Sequence, residues 1–335
     1  MQRINAQPSF TDLTLADLGG KRSVEFFARC EELIPFQALA DSVADVFVEN
    51  NPLGGAPHWS VVMSIKIMFM QKCFNLSDSM TEEMLSDRIS FRRFVGLSFD
   101  DKTPDHSTIW LFRERLSQRG HVSTLFDKTL ATLREQGVVL HNGTLIDATI
   151  IEAPLGRKRA DGTHTKDPCA SKTVKSGRVY HGYRAHTSTD RQGIITDYIY
   201  DTASVSEHTH FDTLAEKEEH AVFSDSGCRS KARVDALRKR GVFPGICHRR
   251  VRGQKELTPH QKRFNRFVSG IRAFVEHPTE GYASVFAAIK RMLPRKARYR
   301  TIRRNAVDFG LCATIANWTR SMSIKTRATA LQKAS

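Results

Sequence analysis

Three acidic residues in this 335-residue chain sit in contexts that could support chemistry. Asp147 lies at the centre of Gly143-Thr144-Leu145-Ile146-Asp147-Ala148-Thr149-Ile150-Ile151. That apolar run, rich in β-branched residues, reads as a buried strand. A carboxylate there is costly unless backbone N–H groups, an arginine or a metal ion compensates it. Asp225 ends a second short run, Ala221-Val222-Phe223-Ser224-Asp225. Glu276 follows Ile271-Arg272-Ala273-Phe274-Val275, so Arg272 and Glu276 share a helical face four residues apart. Taken singly, local pairing accounts for Asp147 and a surface salt bridge for Arg272 with Glu276. The acids are separated by 78 and 51 residues. Each gap has room for a strand and a helix, so all three can converge.

The elements that would position them fall into two parts. Residues 1–50 read as an irregular arm and a helix, closed by the breaker Asn50-Asn51-Pro52-Leu53-Gly54-Gly55-Ala56-Pro57. Residues 51–137 read as an all-helical domain for DNA binding or dimerisation. Val61, Ile65, Phe69 and Cys73 share one helical face, and Val122, Phe126, Leu130 and Leu133 another. Ser79 with Glu82 fits a capping box, and Pro104-Asp105-His106-Ser107-Thr108 a break and cap. The pattern alone singles out no recognition helix.

After Gly137 the period becomes strand-like. The strand of Asp147 comes first, and Pro154 to Arg178 reads as a mobile loop. Val179–Thr187 and Gly193–Thr202 read as paired strands, and Glu207–Glu219 as a helix. A strand then ends at Asp225, followed by a helix over Lys231–Arg240 and a strand over Gly245–Arg250. Helices run from about Pro259 to the end, interrupted near Pro278 to Gly281 and at Pro294. This order matches an α/β, RNase H-like mixed sheet flanked by helices, spanning 138–320 before a basic tail at 321–335. Ligand sites in such sheets lie at strand ends.

The charge balance is 51 Lys and Arg against 36 Asp and Glu, a net +15. Such an excess favours polyanions, most often nucleic acid. From Arg249 to Arg304 there are 16 Lys or Arg and three acids, an imbalance that favours phosphate contact over a merely solvated face. Arg157-Lys158-Arg159 follows the Asp147 strand closely enough to join that grip. No helix sets its basic residues against an apolar face, and the stretch Trp59–Met70 is too short and interrupted to span a membrane. Six scattered cysteines form no C-x-x-C motif. The start Met1-Gln2-Arg3-Ile4-Asn5 lacks a signal-peptide core.

The chain resembles the DDE transposases of bacterial insertion sequences, specifically the insertion-sequence-five group. In the helical part the likeness runs through Phe74-Asn75-Leu76-Ser77-Asp78, Arg92-Arg93-Phe94-Val95-Gly96-Leu97-Ser98 and Pro104 to Thr108. Further on it covers Gly143 to Pro154, His181-Gly182-Tyr183-Arg184-Ala185-His186, Asp225-Ser226-Gly227 and Val275-Glu276-His277-Pro278. It also takes in Arg298-Tyr299-Arg300 with Asn305. The resemblance implies an RNase H-like fold and Asp147, Asp225 and Glu276 as catalytic triad and metal ligands. The chain departs from the family in three respects. Cys228 replaces a Tyr of the second motif, and Thr301 replaces a Gly. Thr279 and Ala283 stand where an aromatic and a Lys follow the Glu; Phe286 and Lys290 match them seven residues later.

What the resemblance implies is two-metal phosphodiester chemistry. Two Mg²⁺ ions, with Mn²⁺ as a substitute, activate water and stabilise the leaving 3′-oxygen. Asp147 is expected to bridge both ions, with Asp225 and Glu276 holding one each. Arg157, Lys158, Arg159, Arg184, Arg272, Lys290, Arg298, Arg300, Arg303, Arg304 and Asn305 are the expected DNA contacts. Tyr183, His186 and Tyr299 read as packing. The partners would be double-stranded DNA, as terminal inverted repeats and target, bound by a homodimer in the bacterial cytoplasm at the nucleoid. The alternatives are a regulatory DNA-binding derivative without turnover, and a stand-alone nuclease that never joins ends.

Overall fold

The computed structural model describes residues 21–47, 58–140, 142–162, 166–218, 220–276 and 285–334. They divide into two compact units, Met1–Ala131 with Gly310–Ser335, and Thr132–Phe309. The limits of these units, at 131/132 and 309/310, fall inside two helices.

The first unit is helical: α1 (Lys21–Leu33), α2 (Phe36–Asp41), α3 (Val61–Cys73), α4 (Asp78–Asp87), α5 (Ile89–Val95), α6 (His106–Gln118) and most of α7 (His121–Glu135). The chain from Gly310 onward completes it. Most of α3 is buried, from Met63 through Met70, because its sequence is apolar on nearly every side. Phe27 stacks on Phe94 at 4.3 Å, and Phe36 meets Phe69 edge-on at 5.6 Å. Trp318 is buried and donates its indole N–H to Thr129 Oγ1 at 3.0 Å. The expected capping box is corrected. Ser77, not Ser79, caps α4 by accepting from Met80 N. Glu82 instead accepts from His106 N and Nδ1 at the start of α6. Asp105 caps α6 as its sequence suggests, accepting from Thr108 N at 2.7 Å.

The second unit holds a mixed sheet. Its strands are β1 (Thr144–Glu152), β2 (Ser171–Lys175), β3 (Arg178–Thr189), β4 (Ile195–Thr202), β5 (Ala221–Ser224) and β6 (Phe243–Ile246). The order is β2-β3-β1-β5-β6, with β4 also on β3. β1 runs antiparallel to β3 and parallel to β5. The helices are α8 (Phe211–Leu214), α9 (Lys231–Lys239), α10 (Pro259–Glu276), α11 (Val285–Met292) and the start of α12 (Ile302–Ala334).

Strand alternation sorts the layers. Ile146, Val222 and Ile246 form one buried face with Phe211, Leu214 and Leu237 of α8 and α9. On the opposite face Phe223 lies 6.2 Å from Phe243, which lies 6.2 Å from Phe264 of α10. Tyr198 and Tyr200 pack on Phe309 of α12 at 5.4 and 5.6 Å. Helices thus cover both faces, which is the RNase H-like arrangement. Two glycines allow close contact. A Cβ at Gly182 would lie 2.1 Å from Ile151 O, and one at Gly245 would lie 2.4 Å from the Phe223 ring.

Two expected elements are corrected. Among the described residues of 207–219 only the short helix α8 forms. Its carbonyls serve arginines instead of a helical ladder: Arg240 takes Ala215, Glu216 and Glu218, and Arg233 takes His208. The loop expected over 154–178 includes β2, which pairs with β3 from Ser171↔Gly182 to Lys175↔Arg178. The expected interruption near 278–281 lies outside the described residues.

Candidate active site

Asp147 sits on β1 in the face covered by α10. It is half-buried, and its Oδ1 accepts from Ala148 N at 2.8 Å. Asp225 follows the last residue of β5 in extended conformation, φ −72 and ψ 177. Its Oδ1 accepts from Gly227 N at 2.8 Å and Cys228 N at 3.3 Å, so the turn after the strand fixes the carboxylate. A Cβ at Gly227 would lie 3.1 Å from that oxygen, which accounts for glycine there.

The β1–β5 ladder pairs Thr144 with Val222 and Leu145 with Phe223. Both pairs have the same offset of 78 residues that separates Asp147 from Asp225. The ladder stops at that second pair, and Asp147 and Asp225 each stand two residues beyond it along the chain. Backbones in such a ladder run about 4.8 Å apart. Glu276 is the last residue of α10, the helix that packs over this face, and its side chain lies outside the described residues.

The basic run reaches the same strand. Ala297 N donates to Glu152 O at 2.7 Å, tying the segment of Arg295, Lys296, Arg298 and Arg300 to the end of β1. Arg157, Lys158, Arg159, Lys290, Arg300 and Arg303 are exposed; Arg272, Arg298 and Arg304 are half-buried. Arg184 and Asn305 correct the expected contact set, because both are consumed inside the protein. Arg184 is buried and donates to Val205 O at 2.7 Å and Thr173 Oγ1 at 3.1 Å. Asn305 is 3 % exposed; its Nδ2 donates to Tyr299 O and Thr301 O, and its Oδ1 accepts from Tyr299 N. It binds the turn before α12.

Tyr183 and His186 are buried, in keeping with packing roles. Burial, then the neighbouring His210 and Arg184, push the His186 imidazole down to about 4. Asp167 is a buried residue that sequence reasoning did not single out. It accepts from Tyr183 Oη at 2.7 Å and from Thr301 N at 3.5 Å, joining β3 to the turn before α12. Burial and this carboxylate raise the Tyr183 hydroxyl well above its ordinary range. An acid in the polar stretch Lys166-Asp167-Pro168 gives no sign of a partner 134 residues away.

Two family models match the chain. One, described as "Transposase domain (DUF772)", covers residues 19–115. The other, described as "Transposase DDE domain", covers residues 140–318, more than half of the chain. The chain belongs to the DDE transposases. No solved structure gives a significant match. The helical match falls within the first unit. The DDE match takes in the whole sheet and both aspartates.

Transposases of this family act on DNA with divalent metal ions. The donors present fit that requirement, since Asp147 and Asp225 offer oxygen ligands, which hard cations prefer. Among the described residues no three His, Cys, Asp or Glu side chains gather to hold a metal. Among them, too, no helix is long and apolar enough to cross a membrane. The departures from the family now have a physical setting. Cys228 is buried in the core beneath α9. Thr301 adopts φ 76, a left-handed conformation that favours glycine. Glu276 is the last described residue of α10 and Lys290 lies in α11; the segment between them is outside the described residues.

Proposed function

We propose that this transposase cleaves phosphodiester bonds at the ends of its own element and joins the freed 3′ ends to target DNA. Asp147, Asp225 and Glu276 are its metal-holding carboxylates. The observation that supports this reading best is the shared 78-residue offset: each acid follows the last β1–β5 pair by two residues, and α10, which carries Glu276, packs over the Asp147 face. Asp147 stands on the inner strand β1, flanked by β3 and β5, and would hold metal together with Asp225 and Glu276. The turn N–H groups hold Asp225 by Oδ1, which leaves Oδ2 to take a cation. Two Mg²⁺ or Mn²⁺ ions, when bound, supply a lowered pKa for the attacking water and charge compensation at the leaving 3′-oxygen. The protein residues orient the substrate around that chemistry, and no covalent enzyme intermediate is needed.

Arg157, Lys158, Arg159, Lys290, Arg300 and Arg303 grip phosphates, with Arg272, Arg298 and Arg304 nearer the protein surface. Such contacts position a duplex without reading its sequence. The substrates are the terminal inverted repeats and the target duplex, handled by two copies of the chain so that both ends are processed together.

The test is Asp147→Asn on purified protein with terminal DNA and Mg²⁺. Cleavage is expected to vanish while DNA binding persists. A variant that cuts at the wild-type rate would remove Asp147 from the assignment. Wild-type protein that binds but never nicks would favour a regulatory derivative instead.

A further inference from the structure

The β2–β3 hairpin extends the sheet beyond the end of β1. Its register pairs Val174 directly with Val179, and both are exposed, at 66 % and 63 %. Strand alternation puts the two valines, with Lys172, on the face that carries Asp147. Lys172, Lys175 and Arg178 surround them and are all exposed. Among the described residues Lys172 makes no ion pair; Lys175 and Arg178 reach Glu207 and Glu152 only at 3.5 Å. Ser176 and Gly177, at φ 51 and φ 76, close the tip as a two-residue turn of the kind that matches strand twist. Ser171 Oγ accepts from Ser204 N at 2.7 Å, and Thr173 Oγ1 accepts from Arg184, so the base is held. The two valines thus form a small apolar pair, set among cations, on a braced ribbon.

We infer that this hairpin is a β-ribbon that enters a groove of the double-stranded DNA lying across the Asp147 face. The major groove admits a two-stranded ribbon, and thymine methyl groups offer apolar contact. The surrounding cations suit phosphates, which decides for DNA over a protein partner. Val179 lies eight residues along β3 from Thr187, the partner of Asp147. That is about 26 Å of strand, or about 8 base pairs of B-form duplex. The inference rests on the proposed placement of the cleaved phosphate at Asp147.

The test compares Lys172→Ala/Lys175→Ala/Arg178→Ala and Val174→Ser/Val179→Ser with wild type on terminal duplex DNA. Affinity is measured against salt, and the duplex is footprinted by hydroxyl radical. The cation variant is expected to lower the log–log salt slope by about 2–3. The valine variant is expected to weaken binding roughly tenfold, the cost of about 1.4 kcal/mol of lost groove contact. Both should lose protection about 8 base pairs from the cut. Thermal melts confirm folding of these exposed-site variants. Unchanged slope, affinity and footprint would overturn the inference, as would a change in oligomeric state at constant DNA affinity. Asp147→Asn run in parallel separates the cases: if it loses cleavage while the two hairpin variants keep the wild-type footprint, the ribbon alone is refuted.

Discussion

Thr301 carries a β-branched side chain on a left-handed backbone, φ 76, where L-residues of that shape are rare. Its amide donates to Asp167, and its carbonyl accepts from Asn305, so the turn is fixed from both sides. The conformation is imposed, and the side chain is exposed. Replacing it with glycine should relieve strain of about 1–2 kcal/mol, partly offset by the greater freedom of glycine in the unfolded chain. Thr301→Gly is therefore expected to gain about 1 kcal/mol, read as a midpoint rise of roughly 2–4 °C. A lower midpoint in thermal unfolding would show that threonine is accommodated. At this scale the sequence spoke clearly for some residues and not for others. Asp147 and Asp225 stand out because short apolar runs make a lone acid conspicuous. Asp167, Arg184 and Asn305 do not, because a buried polar group is defined by partners that lie elsewhere in the chain.

Elements followed their sequences where period and length agreed. The strands of the two acids, the hairpin β3–β4 and helix α9 lie within a residue or two of where apolar spacing puts them. Helix α8 shrank because two arginines claim the carbonyls that a longer helix would have used. Strand β2 hid in a polar stretch, since edge pairing to β3 requires no apolar alternation. The joint between β1 and β3 makes a sharper demand. Gly182 sits against Ile151 O so closely that any side chain must force the strands apart. Gly182→Ala should cost about 2–3 kcal/mol, as overpacking of a tight core does. Urea unfolding measures it. A cost within experimental error would mean that the strands can part freely, and the placement of β1 would then be less constrained than its register implies.

At the scale of the molecule, charge and topology argue separately. The net +15 says polyanion and is silent on fold. The division of the chain was not legible, because a helix that passes from one unit into the other shows unbroken periodicity. Residues from Gly310 belong with the amino-terminal helices, and Trp318 is 1 % exposed there with its N–H on Thr129. Trp318→Ala should destabilise that unit by about 3–5 kcal/mol, seen as an early phase in far-ultraviolet melting. Unfolding indistinguishable from wild type would mean that the carboxy-terminal helix is dispensable to the unit.

That shared core has a consequence for synthesis. A ribosome delivers Met1–Ala131 long before Gly310 leaves the exit tunnel, so the first unit waits, with the surface meant for Trp318 uncovered, until the residues from Gly310 onward emerge. A prematurely terminated product would lack the piece that closes it, and quality control would meet an open apolar seam rather than a finished DNA-handling module.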